Sequence, residues 1–167
     1  MPHPISSSPI FRFRNEAEQE ALRAWCKNLK GNQKQLVFTN GVFDLLHRGH
    51  VHYLLEARNL GDALIIGVNA DASVKRLKGD SRPIQNEEDR AYILSCLKAC
   101  DAAVIFDEDT PLELVTAIIP DVLVKGGDYE ITNIVGRDVV ESNGGVVKTI
   151  PIVEGRSTTN IVQKMKS

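Results

Sequence analysis

The stretch LVFTNGVFDLLHRGH, residues 36–50, decides the fold of this chain. Its first five residues are apolar and β-prone, and a short loop connects them to the helical stretch GHVHYLLEARNL at 49–60. A buried strand that leads through a loop into a helix is the repeating unit of an α/β fold. The same alternation of strand and helix continues along the rest of the chain.

Five apolar strands are predicted, and each is followed by a helical pattern. They are LVFTN (36–40), ALIIGVN (63–69), AAVIF (102–106), DVLVK (121–125) and VVKTI (146–150). Strands that are apolar throughout and alternate with helices indicate a parallel sheet covered on both faces. We therefore expect an α/β domain built on a doubly wound, Rossmann-like parallel sheet of about five strands. In such a sheet, ligands bind beyond the carboxyl ends of the strands, where the strand order reverses.

Several helices have recognisable start signals. Asn86 is expected to cap a long helix through 89–100, and Thr110 is expected to form a capping box for a helix over 111–119. Weaker helical patterns occupy 71–77, 137–143 and 157–165. Before the first predicted strand, an amphipathic N-terminal helix is expected within 15–33, and residues 1–14 are expected to form a flexible N-terminal arm.

Composition excludes several classes of protein. A length of 167 residues favours one domain, and a net charge of −2 gives no general attraction to nucleic acid or anionic membranes. No apolar run resembles a signal peptide or a membrane span. Cys26, Cys96 and Cys100 are interpreted as small buried residues in a reducing compartment. We therefore expect a cytoplasmic protein.

Two histidines stand where the helix after the first predicted strand begins. His47 and His50 are three residues apart, so both imidazoles lie on one helix face, and Gly49 lets an anion approach the backbone. The helix N-terminus adds free N–H donors and a partial positive charge. These features predict a phosphate site, although no dinucleotide-binding or P-loop pattern is present. No third ligand for zinc lies nearby, and His52 is interpreted as a surface or packing residue.

The pattern G-x-F-D-x-x-H-x-G-H over Gly41–His50 resembles the signature of the cytidylyltransferase-like nucleotidyltransferases. A second element of that family, an S-T-T run before the last helix, is present at 157–159. Three further stretches are similar to one branch, the D-glycero-β-D-manno-heptose 1-phosphate adenylyltransferases of lipopolysaccharide precursor synthesis: residues 69–71, 76–83 and 124–128. The resemblance covers about residues 34–166 and assigns residues 34–167 to a nucleotidyltransferase domain.

This resemblance implies an enzyme that moves AMP from ATP onto heptose 1-phosphate and releases pyrophosphate, with no covalent enzyme intermediate. It implies catalytic roles for His47, His50 and Lys78. It implies nucleotide binding by Asn40, Gly41, Phe43, Gly49, Asn69, Lys125, Gly126, Gly127, Ser157 and Thr158. It implies that the acceptor is bound by Asp44, Arg82 and Asp128.

The expected partners follow from the same reasoning. Mg²⁺ is expected to arrive with ATP, because the sequence has no carboxylate cluster suited to an all-protein metal site. Because the chain has no room for a sugar-kinase domain, a separate heptose kinase is expected upstream. The N-terminal helix with Trp25 is expected to form part of a homodimer contact.

Several roles stay open at this level. Asp44 is a candidate ligand for the acceptor or the metal, and equally a cap for its own loop. Arg90 is either a triphosphate ligand or part of a surface salt bridge. Lys75, Lys78 and Arg82 form a basic loop that either closes over phosphates or is a solvated turn.

The glycine pair at 126 and 127 suggests a backbone that lies against the adenine ring, or an ordinary turn. Two other functions are kept as alternatives: a cytidylyltransferase acting on an alcohol phosphate such as glycerol 3-phosphate, and a catalytically inactive nucleotide-binding module. The R-T-x-G pattern of related cytidylyltransferases is absent before Ser157, which disfavours the first and leaves the role of Arg156 open.

Overall fold

A six-stranded parallel sheet forms the centre of the molecule, with strand order β1-β4-β3-β2-β5-β6. The structure, a computed structural model, describes residues 6–127, 129–151, 158, 161 and 162. Its strands are β1 (Ile10–Arg12), β2 (Leu36–Gly41), β3 (Ala63–Asn69), β4 (Ala102–Phe106), β5 (Val122–Gly126) and β6 (Val146–Ile150). The doubly wound parallel sheet is confirmed, with one strand more than the sequence predicts.

Helices cover both faces of this sheet. They are α1 (Glu16–Gly31), α2 (Arg48–Arg58), α3 (Asp71–Lys78), α4 (Glu87–Ser95), α5 (Leu112–Ile118) and α6 (Arg137–Ser142), with a short 3-10 helix at Ile131–Asn133. One core cluster joins the sheet to α1, α5 and α6, and a second joins it to α2 and α4. Alternate strand residues point to opposite faces, so Phe38 belongs to the first cluster and Val37 to the second.

The additional strand β1 lies in the segment predicted to be a flexible arm. It pairs in parallel with β4, and Phe13, just after it, is 3% exposed in the core. Phe11 packs against Trp25 of α1, with ring centroids 5.8 Å apart. The prediction of a flexible arm over 1–14 is therefore wrong for residues 10–13, because their apolar side chains extend the sheet and fill its core. Residues 1–5 lie outside the described part of the chain.

Two helix predictions differ from the structure. Asn86 does cap α4, and its side chain accepts a hydrogen bond from the Asp89 N–H at 2.9 Å, but the helix ends at Ser95. The apolar pattern continues to residue 100 because the turn after α4 also packs into the core, although Cys96 is exposed. At α5, Pro111 occupies the cap position without a side-chain hydrogen bond, so the capping box predicted at Thr110 is wrong.

No helix within the described residues is long and apolar enough to cross a membrane. The terminal helix predicted over 157–165 is described only at Thr158, Ile161 and Val162, which are helical.

Candidate active site

The carboxyl ends of three neighbouring strands open into one cleft. β2 lies between β3 and β5, at the position where the strand order reverses. Asn40, Asn69 and Lys125 stand at the ends of these strands and line a cleft of about 490 Å³, and Lys78 at the end of α3 lines it as well. Gly41 lines it too, so the structure brings together five of the residues that the sequence predicts for the site.

A short loop connects the end of β2 at Gly41 to the start of α2 at Arg48. Phe43 has a left-handed backbone (φ 49°) and is buried, with its ring edge-on to His50 at a centroid distance of 5.4 Å. A β-carbon on Gly41 would lie 3.0 Å from the Phe43 ring, so a larger residue at this position would push against the ring. Phe43, predicted to bind the nucleotide, therefore packs beneath the site and supports His50.

His47 is the N-cap residue of α2. Its Nδ1 accepts a hydrogen bond from the Gly49 N–H at 3.1 Å. Because Nδ1 is the acceptor, the proton of the neutral imidazole is on Nε2, which can act as a donor. The His47 and His50 rings stack with centroids 3.9 Å apart and an angle of 21° between their planes. The two imidazoles therefore lie together as predicted, but His47 precedes α2 with an extended backbone and only His50 lies within the helix.

His50 is half-buried behind this stack. Burial, together with the neighbouring His47 and Lys78, lowers the pKa of His50 to about 4. Its Nδ1 is buried and has no hydrogen-bond partner among the residues that the structure describes. At neutral pH the ring is therefore uncharged, and it offers one N–H donor.

This depressed pKa predicts a pH dependence of stability. The unfolded chain has an ordinary histidine pKa of 6.5, so between about pH 6.5 and pH 4 it binds more protons than the folded chain. We expect the free energy of unfolding to fall as the pH is lowered through this window, and this loss to be smaller in His50→Gln. Urea unfolding of both proteins at pH 7 and pH 4.5 measures the difference. Equal losses in the two proteins would show that His50 is not held neutral.

Asp44 joins the loop after β2 to the loop after α3. The carboxylate is 5% exposed and accepts hydrogen bonds from the Ile84 N–H at 2.8 Å and the Gln85 N–H at 3.0 Å. It also pairs with the Arg82 guanidinium at 2.5 Å. Asp44 therefore caps the loop after α3 and not its own loop as predicted. Ligand binding by Asp44 and Arg82 stays a prediction.

Arg90 corresponds to neither of its two expected roles. Its side chain is fully buried, so it is not part of a surface salt bridge, and its partners are protein groups. Lys75 and Lys78 belong to α3 and not to a loop, and both are exposed.

The glycine pair at the end of β5 is shaped by two tyrosines. A β-carbon on Gly126 would lie 3.0 Å from the Tyr53 ring, so the ring fills the side of this glycine on which a side chain would stand. Nucleotide binding by Gly126 and Gly127 stays a prediction. Gly127 has a left-handed backbone (φ 115°), which favours glycine. The Lys125 amine lies 5.7 Å from the centroid of the Tyr129 ring, and burial lowers its pKa.

Tyr53 is a site-supporting residue that sequence reasoning missed. Its hydroxyl lies 2.5 Å from the Thr39 hydroxyl and donates to the Val124 carbonyl at 3.3 Å, so it fixes α2 against β2 and β5. The available signal was its spacing of three residues from His50, which places both on neighbouring parts of one helix face.

Thr158 lies beside the same loop. The Thr158 hydroxyl donates to the Leu45 carbonyl at 3.3 Å, which brings this part of the predicted S-T-T element next to the loop that precedes His47. Ser157, Asp128 and Arg156 lie outside the described residues, so their predicted roles have no structural account. His52 is exposed, as predicted for a surface residue.

Sequence comparisons link this site to known proteins. Residues 38–164 match the model of the cytidylyltransferase-like family. The bifunctional protein HldE of Geotalea uraniireducens is 55% identical over 165 residues, 99% of this chain and 32% of that protein. The same-named protein of Syntrophotalea carbinolica is 55% identical over 147 residues, 88% of this chain and 30% of that protein. The chain therefore spans about a third of the length of these curated relatives.

Solved structures agree with this assignment. The lipopolysaccharide core biosynthesis protein from Thermoplasma volcanium is 32% identical with a TM-score of 0.60, covering 74% of this chain and 99% of that one. Pantoate-beta-alanine ligase from Francisella tularensis shares the fold, with a TM-score of 0.61 at 15% identity, over 94% of this chain and 77% of that one. The family match, the H-x-G-H motif at a helix start and the parallel sheet agree. The chain belongs to the cytidylyltransferase-like family and is a nucleotidyltransferase.

Proposed function

We propose that this nucleotidyltransferase moves AMP from ATP onto D-glycero-β-D-manno-heptose 1-phosphate, giving ADP-heptose and pyrophosphate for lipopolysaccharide or surface-glycan precursors. The observation that carries the proposal is the stacked pair of His47 and His50 at a helix start, beside a cleft that contains Lys78 and Lys125. The heptose acceptor is supported by the sequence stretches shared with that branch. It is also supported by the similarity to the HldE proteins and to the lipopolysaccharide core biosynthesis protein.

In the proposed reaction, a phosphate oxygen of the acceptor attacks the α-phosphorus of ATP. The bond from that phosphorus to the oxygen bridging to the β-phosphate breaks, and pyrophosphate leaves with the bonding electrons. This step requires an in-line approach and stabilisation of negative charge, and no protein nucleophile. His47 and His50 donate N–H groups to the phosphate oxygens, and the Lys78 ammonium adds positive charge.

We propose that the enzyme requires Mg²⁺ and that this ion enters the site bound to ATP. Within the described residues there is no group of three metal-binding side chains. Asp44 already accepts three hydrogen bonds from the loop after α3. Mg²⁺ usually binds through phosphates and only one or two carboxylates. We therefore treat Mg–ATP as the substrate.

A pyrophosphate-release assay tests this function most directly. ATP and CTP are each combined with heptose 1-phosphate, glycerol 3-phosphate and a panel of other sugar and polyol phosphates. Release with ATP and heptose 1-phosphate alone supports the proposal. Release with CTP and glycerol 3-phosphate would establish the alternative cytidylyltransferase. No release with any pair, despite nucleotide binding by calorimetry, would establish an inactive nucleotide-binding module.

We expect ATP to exceed CTP by well over tenfold in kcat/KM, a difference of ~1.4 kcal/mol or more at the transition state. The reasoning is that a backbone donor and acceptor matched to the adenine edge would be left unpaired by cytosine, which costs more than losing a neutral contact. The measurement is the initial rate for each triphosphate at saturating heptose 1-phosphate. Equal or better use of CTP would rule out the adenylyltransferase branch.

The proposal extends to the surroundings of the enzyme. A kinase reaction must supply the sugar 1-phosphate that is the proposed acceptor. We also propose that the enzyme is cytoplasmic and forms a homodimer. Light scattering of the purified protein, which measures its molar mass, tests the dimer.

A further inference from the structure

Arg90 is a buried cation that connects three segments around the site. Its side chain has no exposed surface, and its three nitrogen positions each donate a hydrogen bond. Nη1 donates to the Val42 carbonyl at 2.7 Å, in the loop before His47, and Nε donates to the Gln85 carbonyl at 3.0 Å. Nη2 donates to the Asp71 carboxylate at 2.6 Å, at the start of α3. A planar guanidinium serves such a three-way contact better than an ammonium group does.

The contact continues from Asp71 to the N-terminal edge strand. The Asp71 backbone N–H donates to Glu87 Oε2 at 2.6 Å, and Glu87 Oε1 pairs with the Arg14 guanidinium. Arg14 lies two residues after the end of β1, and it also pairs with Asp107 at 3.0 Å. Burial alone would raise the pKa of Glu87, but the hydrogen bonds from Asp71 and Arg14 outweigh it and lower that pKa. The carboxylate therefore stays charged between its two donors.

We propose that Glu87, Asp71 and Arg90 form a positioning relay. It ties the N-terminal edge strand β1 to the loop at residues 42–47, which leads to the phosphate-binding histidines of the proposed active site. This inference rests on the proposed role of that loop in holding ATP. Arg14 lies before residue 38, where the match to the family model begins. Through the relay, the N-terminal segment that contains Arg14 supports the site although it lies outside the family match.

The relay acts on the histidines through the loop. Val42 is followed by Phe43, whose ring packs edge-on against His50. Asp44, the next residue, holds the same Gln85 segment that Arg90 contacts, so the two loops are fixed from both sides. Because transfer depends on a narrow range of donor positions, a small displacement of this loop lowers turnover. None of the three relay residues needs to contact the substrate.

Glu88 provides a matched control for Glu87. It is the next residue of α4 and pairs with Arg12 of β1 at 2.7 Å. Both glutamates lie in the first turn of the helix, so each alanine variant removes one acidic side chain there and one ion pair to an arginine of the N-terminal segment. Only Glu87 contacts Asp71. A difference between the two variants therefore reports the relay.

We expect Glu87→Ala to lower kcat at least fivefold, with the KM of the acceptor changed less than twofold, and Glu88→Ala to stay within twofold of the wild type. The rates are measured at a temperature at which circular dichroism shows both variants fully folded. Equal kcat values in the two variants would overturn the relay. A large rise in acceptor KM with unchanged kcat would also overturn it, since it would place Glu87 at the acceptor.

A second readout does not depend on the acceptor. In Arg90→Lys and Glu87→Ala, but not in Glu88→Ala, we expect the NMR-detected pKa of His50 to rise towards 6.5 as water enters the loosened loop. Unchanged His50 titration in Glu87→Ala would overturn the inference even if Arg90→Lys fails to fold. If the shift appears while the enzyme rejects heptose 1-phosphate, the proposed acceptor is wrong and the relay stands.

Discussion

Replacing His50 by alanine is expected to lower kcat by at least ~100-fold, the usual scale for one donor that stabilises transition-state charge. His50 is a neutral, half-buried donor stacked on His47, and it is already fixed in place before the substrate binds. The hydrogen bond from such a donor strengthens as negative charge develops on the phosphoryl oxygens in the transition state. Removing it is therefore expected to lower kcat and not only to raise KM. His47→Ala should give a similar loss in turnover. It also removes the cap of α2, which costs about 1 kcal/mol of stability.

His52→Ala is the matched control for this experiment. It removes the same side chain type from the same helix, at a position that is exposed. Steady-state pyrophosphate release and thermal unfolding are measured for the three variants. Near-normal turnover in a well-folded His50→Ala protein would contradict a catalytic role of His50. A His52→Ala protein as impaired as His50→Ala would show that the helix, and not the imidazole, was damaged.

Local patterns carried most of the successful sequence predictions. The strands β2 to β6 each contain a run of apolar, β-prone residues, so their existence and their sequence along the chain could be predicted without distant residues. The H-x-G-H stretch was placed correctly at a helix start because cap, glycine spacing and helix face are all properties of a few consecutive residues. The meeting of strand ends at one cleft followed from the parallel topology itself.

The errors lie where the outcome depends on residues far away in the sequence. β1 is a strand only because β4, more than ninety residues later, offers an open edge for Ile10–Arg12. The glycine at 126 is predicted to lie against adenine or in an ordinary turn, and no local pattern indicates that the Tyr53 ring of α2 packs against it. Arg90 has three partners from three separate segments, and no local pattern distinguishes it from an arginine on a helix surface.

Removal of divalent cations by excess EDTA is expected to reduce pyrophosphate release by at least ~100-fold, a loss of ~2.7 kcal/mol at the transition state. The leaving pyrophosphate carries several negative charges, which a divalent cation stabilises. Among the described residues, the cationic side chains that line the cleft are Lys78 and Lys125, and burial lowers the pKa of the Lys125 amine. Excess Mg²⁺ should restore the rate completely. The melting temperature of the nucleotide-free protein should not change in EDTA, because the cation enters with ATP.

The two measurements together decide where the metal is held. A protein-bound cation stabilises the folded state by mass action, so its removal would lower the melting temperature even without ATP. That result would contradict a metal carried by the substrate. It would direct attention to Asp44, whose carboxylate would have to exchange its Arg82 partner for the ion. Full activity in EDTA would contradict the metal requirement itself, and the two lysines would then be sufficient to neutralise the departing pyrophosphate. Loss of activity with an unchanged melting temperature is the outcome that a substrate-borne Mg²⁺ requires.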